Sequence, residues 1–346
     1  MPNTNYVTKR LCNQPKPIVQ QLPPGIDGKR AFYILSNNKK WVNGTQIKYM
    51  FIEGSKPQWD VVRKAFQQWM DLGIGLSFTE TDQVDESMVR IGFDQTDGSW
   101  SYVGRDILTI AKPERTMNFG WDLTADSYGL TTALHEIGHT IGFQHEHQSP
   151  FAGIVWNTDA VYKEFSGPPN SWPKDQIDSN IINKIPPNQV TGSNWDPTSI
   201  MEYEFGPGLV VEPAEYKAGI FPPGVLSSFD IAGVKSFYPD MTTSSLVNLK
   251  VMQSTPIAAT SGGQANFTFT PPVTRKYTFQ TFGEMDTVMV VSEKGDKENH
   301  YLSGDDDSGA EKNTKIGLPL VKDREYLVNV RVLFSPTENS GGIVVF

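Results

Sequence analysis

Residues 135–147 read HEIGHTIGFQHEH and hold four of the five histidines in a chain of 346 residues. No other stretch restricts the fold as much. On a helix, His135 and His139 lie one above the other, about 6 Å apart at 1.5 Å rise per residue. Two imidazoles so placed can share one tetrahedral zinc ion. Leu130, Leu134, Ile137 and Ile141 form a single apolar stripe, so "GLTTALHEIGHTIG" has the period of such a helix. Gly142 is suited to the left-handed conformation that ends it, which sends the chain back so that His145 faces the same ion. Three neutral nitrogens leave a fourth position open, as in a catalytic rather than a structural zinc site. Glu136 sits one position round, close to the metal but not aimed at it, which suits a general base acting on metal-bound water. HExxH alone arises by chance, whereas the full HExxHxxGxxH pattern followed by a Met-turn candidate is far more specific.

The rest of the chain is compatible with an enzyme of this kind. The net charge of -9 argues against nucleic acid as a partner. No apolar run approaches the roughly 20 residues of a membrane span. The N-terminus "MPNTNYVTKRLCNQPKP" lacks the apolar core of a signal peptide. Cys12 is the only cysteine, so no intramolecular disulfide is expected. Residues 1–40 are polar and Pro-rich, an extended lead. "QIKYMF" alternates as a strand, and Ser55 and Pro57 open a helix carrying Trp59, Val62, Phe66 and Trp69 at helical spacing. "GLSFTET", "MVRIGFD", "SWSYVG" and "RTMNFGW" read as further strands. A Pro-, Asn- and Gly-rich stretch then runs to about residue 225 without clear periods, and "LSSFDIAGVKSFYP" reads as a closing helix starting at Ser228 or Asp230. The composition changes at "PDMTTSSL". Beyond it "ANFTFT", "YTFQTF", "TVMVV", "YLVNVRVLF" and "GGIVVF" are short strands between turns, a small β-sandwich.

With these motifs in place, the chain resembles the metzincin zinc peptidases, and among them the astacin family, over about residues 40–240. "HEIGHTIGFQHEH" matches the astacin zinc signature, "SIMEY" at 199–203 its Met-turn, and "SWSYVG" at 99–104 its "CWSYVG". The resemblance implies His135, His139 and His145 as zinc ligands, Glu136 as general base and acid, and Met201 as the apolar floor beneath the metal. It implies Tyr203 as a zinc ligand at rest and a donor to the oxyanion in turnover, and Glu146 as the residue that receives the mature N-terminus. Ser99 and Ser127 stand where the family has cysteines, so its disulfides are absent. The family's propeptide aspartate has only a weak counterpart in "GIDGKR", with Asp27 as candidate. "RKYTFQTFGEMDTVMVV" followed by "SGDDDSG" is similar to the pre-peptidase C-terminal type of β-domain of bacterial peptidases, with Asp305, Asp306 and Asp307 as candidate calcium ligands.

The expected fold is therefore α+β: a metzincin-type catalytic domain, with a twisted sheet and an active-site helix, plus a C-terminal all-β sandwich. The expected divisions are a propeptide at 1–30, cut after the dibasic Lys29-Arg30 to leave Ala31, a zinc peptidase domain at 31–243 and a sandwich at 244–346. The expected function is zinc-dependent endopeptidase. The alternative is an adhesin or binding protein with an idle zinc site, against which the intact Glu136 argues. Protein or peptide substrates, a monomer and secretion are expected. Cys12, in the extended setting "LCNQPKP", resembles the cysteine switch of matrixins and is a candidate ligand for the fourth zinc position in a latent form.

Overall fold

The computed structural model describes residues 6–16, 37–190, 195–241, 246–295 and 299–346. The candidates Asp27, Lys29, Arg30 and Ala31 lie outside the described residues. The chain separates into two compact units. One comprises residues 1–19, 48–72 and 80–236, and the other residues 20–47, 73–79 and 237–346.

The first unit carries the histidine motif and most of a five-stranded sheet, of which residues 46–47 and 77–79 fall in the second unit. Strand β1 (Gln46–Phe51) is followed by helix α1 (Lys56–Met70), β2 (Ser77–Glu80), β3 (Val89–Gly92), β4 (Trp100–Ser101) and β5 (Met117–Asn118), and the strands lie in the order β2-β1-β3-β5-β4. β1 runs parallel to β3, with Phe51 opposite Ile91, and β3 parallel to β5, with Ile91 opposite Met117. β4 is antiparallel to β5 at the edge, Trp100 facing Asn118. Ser55 does stand at the N-terminus of α1, and of the predicted stripe Val62, Phe66 and Trp69 are buried while Trp59 is half-buried, stacked on Phe51. Tyr49 of β1 stacks on Phe66 with ring centroids 4.3 Å apart, which fixes α1 against the sheet.

Helix α2 (Tyr128–Thr140) holds the motif, and Trp69 donates from Nε1 to the carbonyl of Leu134 at 3.2 Å, tying α1 to it. Gly142 lies at φ +101°, the left-handed conformation predicted for the end of this helix. The strand expected over "SWSYVG" is only two residues long, because a 3₁₀ helix begins at Gly104. Its edge is lengthened from elsewhere: Cys12 pairs with Ser99 in a parallel bridge, and Asn13 donates its amide to the Ser99 carbonyl at 2.7 Å. The irregular stretch contains a two-stranded antiparallel sheet of β6 (Val155–Trp156) and β7 (Val210–Glu212), with helices α3 (Thr158–Phe165) and α4 (Lys174–Ile177) in the chain between them. Val161, Phe165, Trp172, Ile177, Ile181 and Phe205 form a core there. The closing helix α5 is Ser228–Phe237.

In the second unit, β8 (Val247–Asn248), β10 (Gln264–Phe269), β12 (Asp286–Glu293), β13 (His300–Asp305) and β15 (Tyr326–Phe334) form one sheet, in the order β13-β12-β15-β10-β8. The facing sheet is β14-β11-β16-β9, from β9 (Thr255–Pro256), β11 (Arg275–Gly283), β14 (Lys315–Leu320) and β16 (Gly341–Val345). Alternate residues of the two, among them Phe267, Phe279, Met289, Val330 and Ile343, make one shared core. This is the sandwich that the strand pattern predicted, with β8, β9, β13 and β14 added.

Candidate metal centre

The centre is built from three imidazoles whose tautomers are set by their other nitrogen. His135 Nδ1 lies 2.8 Å from the carbonyl oxygen of Ile200, His139 Nδ1 2.8 Å from that of Phe143, and His145 Nδ1 3.1 Å from Gln148 Oε1. Each partner is an acceptor, so each Nδ1 carries the hydrogen and each Nε2 presents a lone pair. Those lone pairs converge. His139 Nε2 and His145 Nε2 are 3.0 Å apart, and His135 Nε2 is buried with no hydrogen-bond partner. Such crowding of acceptors is unfavourable unless a cation lies among them, and neutral histidine nitrogens are what zinc takes. Burial also favours the neutral form, pushing His135 down to about 4 and His139 and His145 well below the usual imidazole range. The zinc site is His135, His139 and His145.

A fourth ligand atom sits among them. Cys12 Sγ is 3.6 Å from His139 Nε2, and the four candidate ligand atoms of Cys12, His135, His139 and His145 all lie within 4.8 Å of one another. Cys12 is carried in by an extended segment, residues 6–16, which is fastened on both sides of it. On one side Asn170 accepts from the Leu11 amide at 3.0 Å and donates to the Lys9 carbonyl at 2.9 Å, while Tyr128 donates to the Arg10 carbonyl at 2.6 Å. On the other side are the Ser99 bridge and a pair between Lys16 and Asp175 at 3.1 Å.

Glu136 is fully buried beside the ligands. Its Oε2 accepts from Cys12 Sγ at 3.5 Å, and its Oε1 has no partner. Burial pushes its carboxyl up to about 8, against a smaller opposing effect of the Cys12 hydrogen bond. Burial, and then the Glu136 charge, raise the Cys12 thiol well above its ordinary value. Tyr203 donates from its hydroxyl to the Cys12 carbonyl at 2.5 Å, and its ring centroid is 4.4 Å from that of His145. Met201 lies under the helix, since a Cβ placed on Gly138 would fall 2.3 Å from its sulfur. His135, His139, His145, Glu136, Met201 and Tyr203, the residues that the resemblance singled out, are thus brought together.

Glu146 accepts from the Asp196 amide at 3.3 Å. Burial, helped by Glu202, Asp230 and Asp196, pushes it up to about 8. The ammonium expected to meet it falls at Ala31, outside the described residues. Three residues escaped sequence reasoning. Gln148 orients His145, and its signal was its place three residues after that ligand. Asp230 accepts from the Ile200 amide at 2.8 Å and so holds the turn that positions His135. Glu202 lies 3.2 Å from His147 Nδ1, both side chains fully buried; nothing in the sequence marks that pair.

In the sandwich, a carboxylate cluster forms, but from different members than the "DDD" run suggested. Asp286, Asp306 and Asp307 bring ligand atoms within 4.8 Å of one another. Asp305 instead accepts from the backbone amides of Ser308 at 3.3 Å and Lys315 at 2.8 Å. Asp286 opens β12 and reaches the run only through the fold.

Comparison with known proteins fits this centre. The peptidase family Astacin matches residues 34–155. The structure of myroilysin is 31% identical, with a TM-score of 0.54, over 59% of this chain and 97% of that one. The serralysin of Photorhabdus laumondii is 31% identical over 127 residues, 29% of this chain and 25% of that protein. Zinc metalloproteinase dpy-31 of Caenorhabditis elegans is 27% identical over 190 residues, 53% of this chain and 28% of that protein. The chain thus spans about a quarter of the length of the curated relatives it matches.

Proposed function

The chain belongs to the astacin family of zinc metalloendopeptidases, and from that premise we propose that it cleaves internal peptide bonds of protein substrates and that residues 6–16 hold it in a latent form with Cys12 as latch. The observation that carries this reading is the meeting of Cys12 Sγ with three convergent imidazole nitrogens beside an unpartnered Glu136 oxygen. His135, His139 and His145 would hold the zinc, which supplies Lewis acidity, lowering the pKa of a water to about 7 and polarising a carbonyl.

The chain's own residues do the rest. In the latent form the thiol lies where water and the scissile carbonyl must come, and Tyr203 is engaged by the Cys12 main chain. Departure of the segment frees both. Glu136 then takes a proton from the attacking water as the hydroxyl adds to the carbonyl carbon. The Tyr203 phenol, kept protonated by burial, donates to the oxygen that gains charge. As the C–N bond breaks, Glu136 returns the proton to the leaving amine. Substrates would lie extended along the β4 edge, the track that residues 11–13 follow.

The test compares the full chain, Cys12→Ser, Glu136→Ala and a form starting at Ala31 in one peptide assay, with zinc content measured alongside. Cys12→Ser and the shortened form should exceed the full chain, and Glu136→Ala should bind zinc yet hydrolyse almost nothing. Equal activity of the full chain, Cys12→Ser and the shortened form removes the latch. Near-wild-type turnover by Glu136→Ala removes the mechanism.

Two finer assignments belong to the same reading. Calcium at Asp286, Asp306 and Asp307 is supported by their approach and is tested by calcium-dependent thermal stabilisation that Asp286→Asn abolishes. Action outside the cell accords with the family, and activity in culture medium against cell lysate tests it. No helix among the described residues is long and apolar enough to cross a membrane.

A further inference from the structure

The latch segment does more in the cleft than deliver Cys12. A cavity of about 160 Å³ lies beside His135 and Glu136, between α2 and the turn Pro222–Gly224. Its wall is fixed on two sides: Thr131 donates to the Gly224 carbonyl at 2.8 Å, and Phe205 and Ile220 exchange both backbone hydrogen bonds at 2.9 Å. That second contact brings Glu204 up against the turn. The latch lines one side of this space with Lys9, three residues before Cys12, its side chain 43% exposed. Its Nζ lies 2.5 Å from Glu204 Oε2 and 5.0 Å from the centroid of the Tyr128 ring.

Two carboxylates line the cavity from the Met-turn and the residue after it, and they differ in what they have to do. Glu202 is fully buried and occupied, with His147 at one oxygen and the Trp195 Nε1 donor at 2.7 Å on the other. Glu204 is 17% exposed, and among the described residues the cation that pairs with it is Lys9. Around Lys9 the segment is held by main-chain atoms of Lys9, Arg10 and Leu11, groups that any extended peptide offers. Side chains outside the cavity add the Thr8 hydroxyl on Glu164 and the Arg10 guanidinium on the Gly120 carbonyl at 3.3 Å. At the cavity itself the walls offer a carboxylate and an aromatic face, which together favour a cation.

We propose that Glu204 sets substrate preference by holding a lysine or arginine side chain in the subsite beside His135 and Glu136, and that Lys9 occupies this subsite in the latent chain as a stand-in for substrate. The proposal rests on the peptidase reading of the cleft. When the segment leaves, Glu204 loses its counter-charge in a setting shielded from water, so an incoming cation is favoured and an incoming carboxylate is repelled.

The experiment uses the full chain carrying Cys12→Ser, before and after limited proteolysis of its lead segment. The substrates are fluorogenic peptides in which each position near the scissile bond is in turn Lys, Arg, Leu or Glu. At one position Lys and Arg should exceed Leu in kcat/KM by about tenfold or more, with Glu slowest. Glu204→Gln should bring the Lys-to-Leu ratio toward one, and Glu204→Lys should turn the preference to Glu. Cleavage with no basic preference, or a preference that Glu204→Gln leaves intact, overturns the subsite while the peptidase reading stands. Cleavage of no peptide at all overturns both. The pairing has a separate readout in the latent chain, the rate at which Cys12 reacts with a thiol reagent. Lys9→Glu should raise that rate, and Lys9→Glu with Glu204→Lys should restore protection. If Lys9→Glu leaves Cys12 as protected as before, the pair does not seat the segment and the assignment fails.

Discussion

Gly138 stands between Glu136 and His139, on the face of α2 that rests on the Met-turn. An alanine there would place its Cβ 2.3 Å from Met201 Sδ, 3.3 Å from Met201 Cε and 3.7 Å from Trp69 Cζ2. The sulfur contact is about 1.5 Å inside ordinary van der Waals separation. Met201 is 2% exposed and Trp69 fully buried, so the thioether has little room to swing away. In an exposed helix the same change would stabilise by up to about 1 kcal/mol, because glycine is a poor helix residue. Overpacking of a closed core costs about 1–3 kcal/mol, and an approach as close as 2.3 Å belongs to the upper part of that range, about 2–3 kcal/mol, leaving a net loss of about 1–2 kcal/mol. For a unit of this size that lowers Tm by about 2–8 °C. The damage should also reach the metal, because Ile200, whose carbonyl orients His135, is the residue before Met201. Loss of such an orienting contact costs about tenfold or more in affinity. Calorimetry of zinc-loaded Gly138→Ala, with zinc affinity from competition against a chelator, measures both. A variant with unchanged or higher Tm and normal zinc affinity would show that Met201 is free to move and is no floor.

Tyr203→Phe should lower kcat by about 10²–10³ while KM changes little, because the oxyanion it serves exists only during reaction; steady-state kinetics with KM alone altered would assign it to substrate binding. Zinc should protect Cys12 in the latent chain: alkylation followed by mass spectrometry should be slow with zinc and fast after chelation, and equal rates would deny the thiol a place on the metal. Burial, aided by Arg331, lowers Lys40 to about 8. Its folded value lies below its unfolded one, so the charge destabilises the fold in full below pH 8 and ceases to do so as pH rises toward the unfolded value. Lys40→Met should therefore raise Tm at pH 7, with the gain shrinking toward pH 10; a gain independent of pH would place the effect in packing instead.

Helix α2 and its ligands were legible because three ligands compressed into residues 135–145 leave their geometry in the spacing, and Gly142 supplied the turn that brings His145 round. The apolar sandwich strands were legible for the same local reason, β11 by alternation and β12 and β15 as continuous apolar runs. β13 and β14 were not: HYLSGD shows no clean alternation, and KIGLPL alternates in burial but carries a glycine and a proline that read as turn signals. α3 lies in a stretch rich in proline and asparagine that obscures its period, although Asn157 caps it in the ordinary way. Asp286 and Glu204 acquire their neighbours only through contacts distant in sequence, so neither carried a signal. Cys12 could be suspected from its chemistry alone. Its arrival at His139, 127 residues away, depends on main-chain contacts along the segment that no residue pattern announces.

Two of the three imidazoles are oriented by carbonyl groups of the main chain, at Ile200 and Phe143, and only His145 relies on a side chain, Gln148. An amide carbonyl is present whatever residue occupies the position. Point changes at Ile200 or Phe143 can therefore shift these acceptors but cannot delete them, whereas a single codon change removes Gln148. Drift in the surrounding sequence is buffered at His135 and His139 and unbuffered at His145. Variants that accumulate under relaxed selection should lose the metal first through the ligand beyond the helix, while the two on α2 stay poised to regain it.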